Sequence, residues 1–402
     1  MLPFIKTFFV YIGAIGMVLG ALLFLENTGP DPALNPPIKN MLVSTGTIPV
    51  IAPPPATQGT ATSTAPENQI LSDIPNHAVL SSKTPNTAET GLIVAQSPPT
   101  TVESDVLDNT IMRIQNPYTS PPFPFETVNE NARAALVNIF CTTNATSIHP
   151  ITASGVIIDP RGIILTNAHV AQYVLLSQSS RVNLKCIIRQ GAPARSLWEA
   201  EVLYIPPVWI EKHAKDILEK RSTGTGEHDY ALLRIANTID DSPTPVSFPY
   251  LFPDTREGIG FIDDPMLAAS YPAEFISGDT AYYSLYPISS ITFIKEFLTF
   301  DKGTVDVISI GGVAGAQGGS SGGAVVNAWS RLVGIISTTS EGATTAERDL
   351  RALTLSYIDK DIKTQSGFPL SEFQNGNIES LIDDFNSREA PALIQLLLNE
   401  LP

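Results

Sequence analysis

The 402-residue chain is poor in cysteine, in histidine and in positive charge. Its two cysteines, Cys141 and Cys186, are too few for a disulfide-dense secreted scaffold or for a zinc site built on thiolates. Two readings of them stay open: one bridge in an oxidising compartment, or two buried thiols. Lys and Arg number 24 against 40 Asp and Glu, a net charge of −16. Binding a phosphate backbone needs clustered cations, so this balance excludes nucleic acid as an expected partner. It describes an acidic soluble surface and identifies no substrate.

Long apolar runs are scarce too. Thr7 to Leu25 (TFFVYIGAIGMVLGALLFL) carries no charge and lies between Lys6 and Glu26. A helix of that length is about enough to cross the hydrocarbon core of a bilayer. A cleaved signal peptide is the competing reading, but such segments end in small residues. This one ends Leu22-Leu23-Phe24-Leu25, which favours an uncleaved anchor over residues 1–27. Lys6 favours a cytoplasmic N-terminus, with the remainder outside. Gly16 and Gly20 have the spacing of a helix-pairing motif, although glycine is common in membrane helices. Residues 28–125 read as a disordered Pro/Thr/Ser-rich linker. Pro36-Pro37, Pro53-Pro54-Pro55, Pro98-Pro99 and Pro121-Pro122 break helices and central strands there. The stretches between them have too little apolar surface to offset the entropy of ordering.

From about Phe125 short β-rich runs alternate with turn residues. They include 136–141, 155–158, 162–166, 181–188, 231–235, 304–310, 324–326, 332–336 and 353–357. Asp159-Pro160-Arg161-Gly162 has Pro second and Gly fourth, the pattern of a type I turn. It would close a hairpin whose second strand ends at His169. Trp209 to Lys220 reads as a helical surface insertion. Ile378, Leu381, Ile382 and Phe385 fall at helical spacing, and Pro391 opens a Leu-rich run to Leu401. The domains expected are therefore an anchor (1–27), a linker (28–125), a β domain (126–365) and a helical extension (366–402).

Three short segments carry chemistry: Thr166-Asn167-Ala168-His169, Asp229-Tyr230-Ala231-Leu232-Leu233, and Gly319-Ser320-Ser321-Gly322-Gly323. Together they supply a base, a carboxylate to orient it and a nucleophile, in the order His, Asp, Ser. A serine hydroxyl is a weak nucleophile without such a base. The glycines around Ser321 allow the backbone N–H groups of Gly319 and Ser321 to converge where an oxyanion would form. Read singly, each segment has a plainer account: a Gly/Ser loop, a structural histidine, a strand-capping aspartate. Ser320 is the neighbouring nucleophile and Asp240 and Asp241 are rival carboxylates, but the latter two lie past the strand among turn residues. Of the remaining histidines, His77 falls in the linker, His149 in a polar loop and His213 in the insertion, with His228 beside Asp229.

The stretches 154–159 and 162–170 resemble the first-barrel signature of the HtrA-like, trypsin-like (chymotrypsin-fold) serine proteases. The Asp229 run resembles their aspartate strand. Residues 319–327 resemble their nucleophile loop, and Val333-Gly334-Ile335-Ile336-Ser337 the strand lining their specificity pocket. The resemblance spans residues 130 to 365. It implies an all-β fold of two six-stranded antiparallel barrels, with His169 and Asp229 from the first, and Ser321 and its oxyanion hole from the second. It also makes the strands of Cys141 and Cys186 neighbours, which favours a bridge. The chain departs from the HtrA pattern in its long segment between His169 and Asp229. About 40 residues follow the β domain, too few for a PDZ domain. Gly315, six residues before Ser321, is not an aspartate, so a small or medium apolar residue is expected before the scissile bond. The expected activity is that of a membrane-tethered serine endopeptidase acting outside the cytoplasm on proteins or peptides, with no metal or cofactor implied. The alternatives are a catalytically silent trypsin-like scaffold that binds partners, and a resting state that must rearrange to form its oxyanion hole.

Overall fold

The computed structural model describes residues 100–101, 117–144, 148–219, 225–300, 303–339 and 344–402, and the description concerns those residues. The first strands are β1 (Thr100–Thr101), β2 (Leu136–Thr143), β3 (Ile151–Asp159), β4 (Ile163–Thr166), β5 (Leu184–Gln190), β6 (Arg195–Tyr204) and β7 (Ala231–Thr238). Side chains on a strand alternate between two faces. On one face Val137, Ile139, Ile157, Ile164 and Leu233 pack together within a single core cluster. On the other, Leu136, Val156, Ile158, Leu165 and Leu232 join a cluster shared with the second half of the protein. A one-residue slip would exchange the two sets, so the register is tightly specified. The six strands close antiparallel in the order β2-β3-β4-β7-β6-β5. The expected turn between β3 and β4 forms: Gly162 N–H donates to Asp159 O at 3.0 Å, with Gly162 at φ +86°.

The second half holds β8 (Phe252–Pro253), β9 (Pro265–Ser270), β10 (Ile288–Phe293), β11 (Glu296–Thr299), β12 (Val307–Ser309), β13 (Ala324–Asn327), β14 (Arg331–Thr339) and β15 (Leu350–Thr354). Its order is β1-β11-β12-β15-β14-β13-β9-β10, with β8 alongside β14. Two closed six-stranded barrels were expected; only the first closes, and the second is an open nine-stranded sheet. The reason lies between β10 and β11. Asp263 N–H donates to Ile294 O at 2.9 Å, while Lys295 N–H already donates to Ser309 O at 2.8 Å. Those two residues carry the chain from β10, at one edge of the sheet, to β11, which lies next to β1 at the other. β10 and β11 therefore pair with different neighbours and not with each other.

Eight helices complete the described residues: α1 (Phe125–Ala135), α2 (Ala168–Ser177), α3 (Pro207–His213), α4 (Gly278–Tyr283), α5 (Leu355–Ser366), α6 (Leu370–Asn375), α7 (Ile378–Arg388) and α8 (Ala390–Glu400). The insertion expected from Trp209 is α3 followed by a 3-10 turn, Ala214–Leu218, and it buries Trp209, Ile210 and Ile217. The apolar spacing around Ile382 becomes α7. Phe385 of α7 and Leu393 and Leu397 of α8 enter the first barrel's cluster beside Ile210 and Ile217. The strand expected through Tyr357 instead stops at Thr354, whose hydroxyl accepts the Tyr357 N–H at 3.1 Å. That cap satisfies a helix-terminal donor and starts α5. Helix α1, which the β-rich pattern does not announce, buries Val128, Ala132 and Ala135 along one side.

The expected anchor over residues 1–27 lies outside the described residues. Among the described residues no helix is long and apolar enough to cross a membrane. Most of the expected linker also lies outside the described residues, and only 100–101 and 117–125 of it are described. Thr100 and Thr101 pair with β11. Tyr118 donates its hydroxyl to Asp254 and accepts from Asn327 Nδ2 at 2.9 Å. Phe123 N–H donates to Ala328 O at 2.8 Å. Proline content alone hid these anchoring residues.

Cys141 and Cys186 face each other across the β2–β5 ladder and are bonded, which decides between the two readings of these residues. They are separated by 45 residues along the chain. Closing a loop of that size removes about 4 kcal/mol of unfolded-state entropy in the chain-entropy account, and measured effects are typically about 2–4 kcal/mol. The paired variant Cys141→Ala, Cys186→Ala is expected to lose about 2–4 kcal/mol of unfolding free energy by denaturant titration. An unchanged midpoint would count against a stabilising bridge.

Candidate active site

β4 pairs with β7, and that pairing brings together two segments separated in sequence. His169 lies in the first turn of α2, just past β4, and Asp229 lies just before β7. His169 Nδ1 is 2.8 Å from Asp229 Oδ2, and the His169 backbone N–H donates to Oδ1 at 2.9 Å. The side chain of Asn167 donates to the Asp229 carbonyl at 2.8 Å. A further donor comes from the second half: Ser337 Oγ, on β14, donates to Asp229 Oδ2 at 2.9 Å. Burial by itself would raise the Asp229 carboxyl pKa. The charge attraction of His169, its two hydrogen bonds and that of Ser337 outweigh burial and hold the carboxyl below its ordinary value. A carboxylate at Nδ1 requires a proton there, which leaves Nε2 as the acceptor of the neutral ring.

The loop of Ser321 is positioned from outside itself. Ser154 on β3 donates its N–H to Ser321 O at 2.8 Å and its hydroxyl to Gly319 O at 2.8 Å. Gly319 adopts φ +97° and Gly322 φ +81°. A Cβ on Gly322 would stand 2.1 Å from Ser154 O and 2.4 Å from Thr166 Oγ1, so the loop rests directly on the strand leading to His169. On its other side Gly322 N–H donates to Ile336 O at 2.7 Å, one residue before Ser337. Ser320 is buried, its hydroxyl accepting from Ser270 Oγ at 3.0 Å, whereas Ser321 is partly exposed. The hydrogen-bond chain ends at the imidazole. Among the described residues neither His169 Nε2 nor Ser321 Oγ has a partner, and the N–H groups of Gly319 and Ser321 have no acceptor.

The other residues weighed in the sequence stand elsewhere. Asp240 accepts from Ser242 Oγ at 2.7 Å on an exposed turn. His213 pairs with Asp216 at 2.9 Å and stacks on Trp209. His228 pairs with Asp361 at 2.8 Å, tying the Asp229 loop to α5. Gly315 is buried beside Ser270, followed by buried Ala316. Ser154 and Ser337 lie within the sequence motifs, but the motifs alone assign them no role. The signal was a hydroxyl among strand residues that are otherwise buried and apolar, where an unpaired polar group is costly. A cavity of about 460 Å³, lined by Arg256, Phe261, Met266, Phe297 and Val333 among others, includes none of the three expected site residues.

The lowered Asp229 carboxyl has a consequence for stability. A depressed folded-state value adds stability above the unfolded value near 3.9, and that stability is lost as pH falls through the folded value. Asp229→Asn is expected to be less stable than the native chain near neutral pH. The gap should narrow as pH falls below about 5 and on through the folded value, measured by denaturant unfolding across pH. A gap independent of pH would contradict this account.

Residues 153–335 match the family model described as a trypsin-like peptidase domain. Among solved structures the chain is similar to the serine endoprotease from Yersinia pestis, at 21% identity and a TM-score of 0.37, over 61% of this chain and 68% of that one. No curated protein matches it. His169, Asp229 and Ser321 lie inside the matched span, and residues 153–335 are those of a trypsin-like peptidase domain.

Proposed function

We propose that the chain is a serine endopeptidase in which Ser321 is the nucleophile, His169 the base and then the acid, and Asp229 the orienting carboxylate. The observation that supports this best is the run of hydrogen bonds Ser337–Asp229–His169 beside a loop whose hydroxyl and two N–H groups are unpartnered. His169 Nε2 takes the Ser321 proton as Oγ attacks the scissile carbonyl carbon. The oxygen of that carbonyl becomes an oxyanion and is held by the N–H groups of Gly319 and Ser321. Asp229 stabilises the imidazolium, which passes its proton to the departing amine and leaves an acyl group on Ser321. Water activated by His169 then releases the acyl group and restores the hydroxyl. Buried Gly315 and Ala316 support a small or medium apolar residue before the cleaved bond.

The location belongs to the same proposal. Residues 1–27 act as a single-pass anchor and hold the peptidase domain on the outer face of the membrane. The Cys141–Cys186 bridge supports an oxidising compartment.

A fluorophosphonate probe tests the chemistry. The full chain is expected to be labelled, Ser321→Ala to lose all labelling, and Ser320→Ala to keep it. His169→Ala should slow labelling by about 10³-fold or more, the scale of loss seen when such a base is removed. Labelling that survives Ser321→Ala would overturn Ser321 as the nucleophile, and no labelling at all would favour a silent binding scaffold.

A further inference from the structure

The oxyanion hole of the proposed reaction depends on the orientation of one peptide unit, that joining Gly318 to Gly319. A trans peptide points its C=O and its N–H in opposite directions. If this unit turned over, the Gly318 carbonyl would face the site and the Gly319 N–H would be lost to it. Neither residue has a Cβ to resist such a turn. The unit is nevertheless held at its carbonyl by the segment after β9. Ala273 N–H donates to Gly318 O at 2.8 Å, which directs that carbonyl away from Ser321 and therefore turns the Gly319 N–H the other way. The Glu274 carboxylate accepts the Gly318 N–H, which belongs to the preceding peptide unit, at 3.0 Å and so fixes the Gly318 end from which the Gly318–Gly319 unit turns. Gly319 is pressed against the same segment, since a Cβ there would stand 2.8 Å from Tyr271 O.

Glu274 is itself gripped. Arg348 reaches it with two donors, Nη1 to Oε2 at 2.6 Å and Nη2 to Oε1 at 3.2 Å, and Nη1 also donates to Ala316 O at 3.1 Å. The two side chains keep only 13% and 17% of their surface exposed. Such a bidentate pair fixes geometry as well as charge. The cation also matters electrostatically. An unpaired carboxylate beside the hole would oppose the negative charge that develops there, and Arg348 neutralises it.

We propose that Glu274, locked by Arg348, is a positioning residue that keeps the Gly318–Gly319 peptide turned so that the Gly319 N–H serves the oxyanion. This rests on the serine-peptidase reading of Ser321 and Gly319. The two ideas fail differently: without Ser321-dependent labelling of the native chain the enzyme reading fails, whereas the positioning role is judged on variants of a chain that labels.

The test is the kinetics of fluorophosphonate labelling of the full chain, separated into the saturating rate and the half-saturating probe concentration. Removing an oxyanion donor typically costs about 10²–10³ in rate, and misdirecting one is expected to cost about 10–100-fold. Glu274→Ala should lower the saturating rate by about that factor while changing half-saturation less than about threefold. Glu274→Gln keeps an oxygen for the Gly318 N–H and should recover most of the rate. Arg348→Gln, which removes the cation beside that carboxylate, should fall between the native chain and Glu274→Ala. A merely structural role would reduce the fraction of chains that label and the melting temperature, but not the rate of those that do label. Native rates in Glu274→Ala would overturn the proposal. If that variant does not fold, equal rates for Glu274→Gln, Arg348→Gln and the native chain would overturn it.

Discussion

A single buried serine fixes how the two halves of this domain meet. Ser154 lies on β3, whose place is set by ladders to β2 and β4, and it bonds the backbone carbonyls of Gly319 and Ser321. The loop it holds contains Gly318, Gly319, Gly322 and Gly323, so its own sequence specifies almost no conformation. Its shape is imposed by neighbours: Ser154 beneath, Ile336 on one side, Ala273 and Glu274 on the other. The contact also demands close approach, because any side chain at residue 322 would collide with Ser154 O. Closing the first barrel is thus a condition for the geometry of a loop that belongs to the second half.

The buried carboxylate ties the halves together a second time. An ionised Asp229 at 4% exposure is costly unless every lone pair is used. His169 and its backbone supply donors from the first barrel, and Ser337 supplies one from β14. Separating the halves would strip a donor from a buried anion as well as expose apolar surface such as Leu165, Leu232, Ala324 and Ile335. The burial that makes the carboxylate expensive is also what makes its grip on the imidazole firm, since a low local dielectric strengthens the bond.

The legible parts of this structure were those with local signals. The Asp159–Gly162 turn, the apolar face of α7 and the strands beside His169 and Asp229 follow from spacing and turn chemistry. What stayed hidden depends on distant partners. β6 (RSLWEAEVLY) mixes polar and apolar residues and becomes a strand through its ladder to β7. The strand expected through Tyr357 breaks because a threonine hydroxyl caps a helix there. The second sheet's failure to close rests on two residues, Ile294 and Lys295, whose composition says nothing of it. At the site, the three motif residues could be named, but Ser154, Ser337 and Glu274 work through residues more than 40 positions away.

This division bears on how the proposed reaction is distributed over the fold. His169 and Asp229 sit on a closed barrel in which each strand is paired on both sides, so their relative position is stiff. Ser321 and the N–H groups beside it sit on a glycine loop carried by an open sheet and steadied by the segment after β9. In the proposed reaction the rigid part holds the base and its carboxylate, and the glycine loop brings the hydroxyl to them. Oxyanion stabilisation needs one peptide unit in one of two orientations, and it is placed where the backbone can turn. Changes in the first half should therefore act on the protonation of the base, and changes around residues 271–276 on stabilisation of the oxyanion.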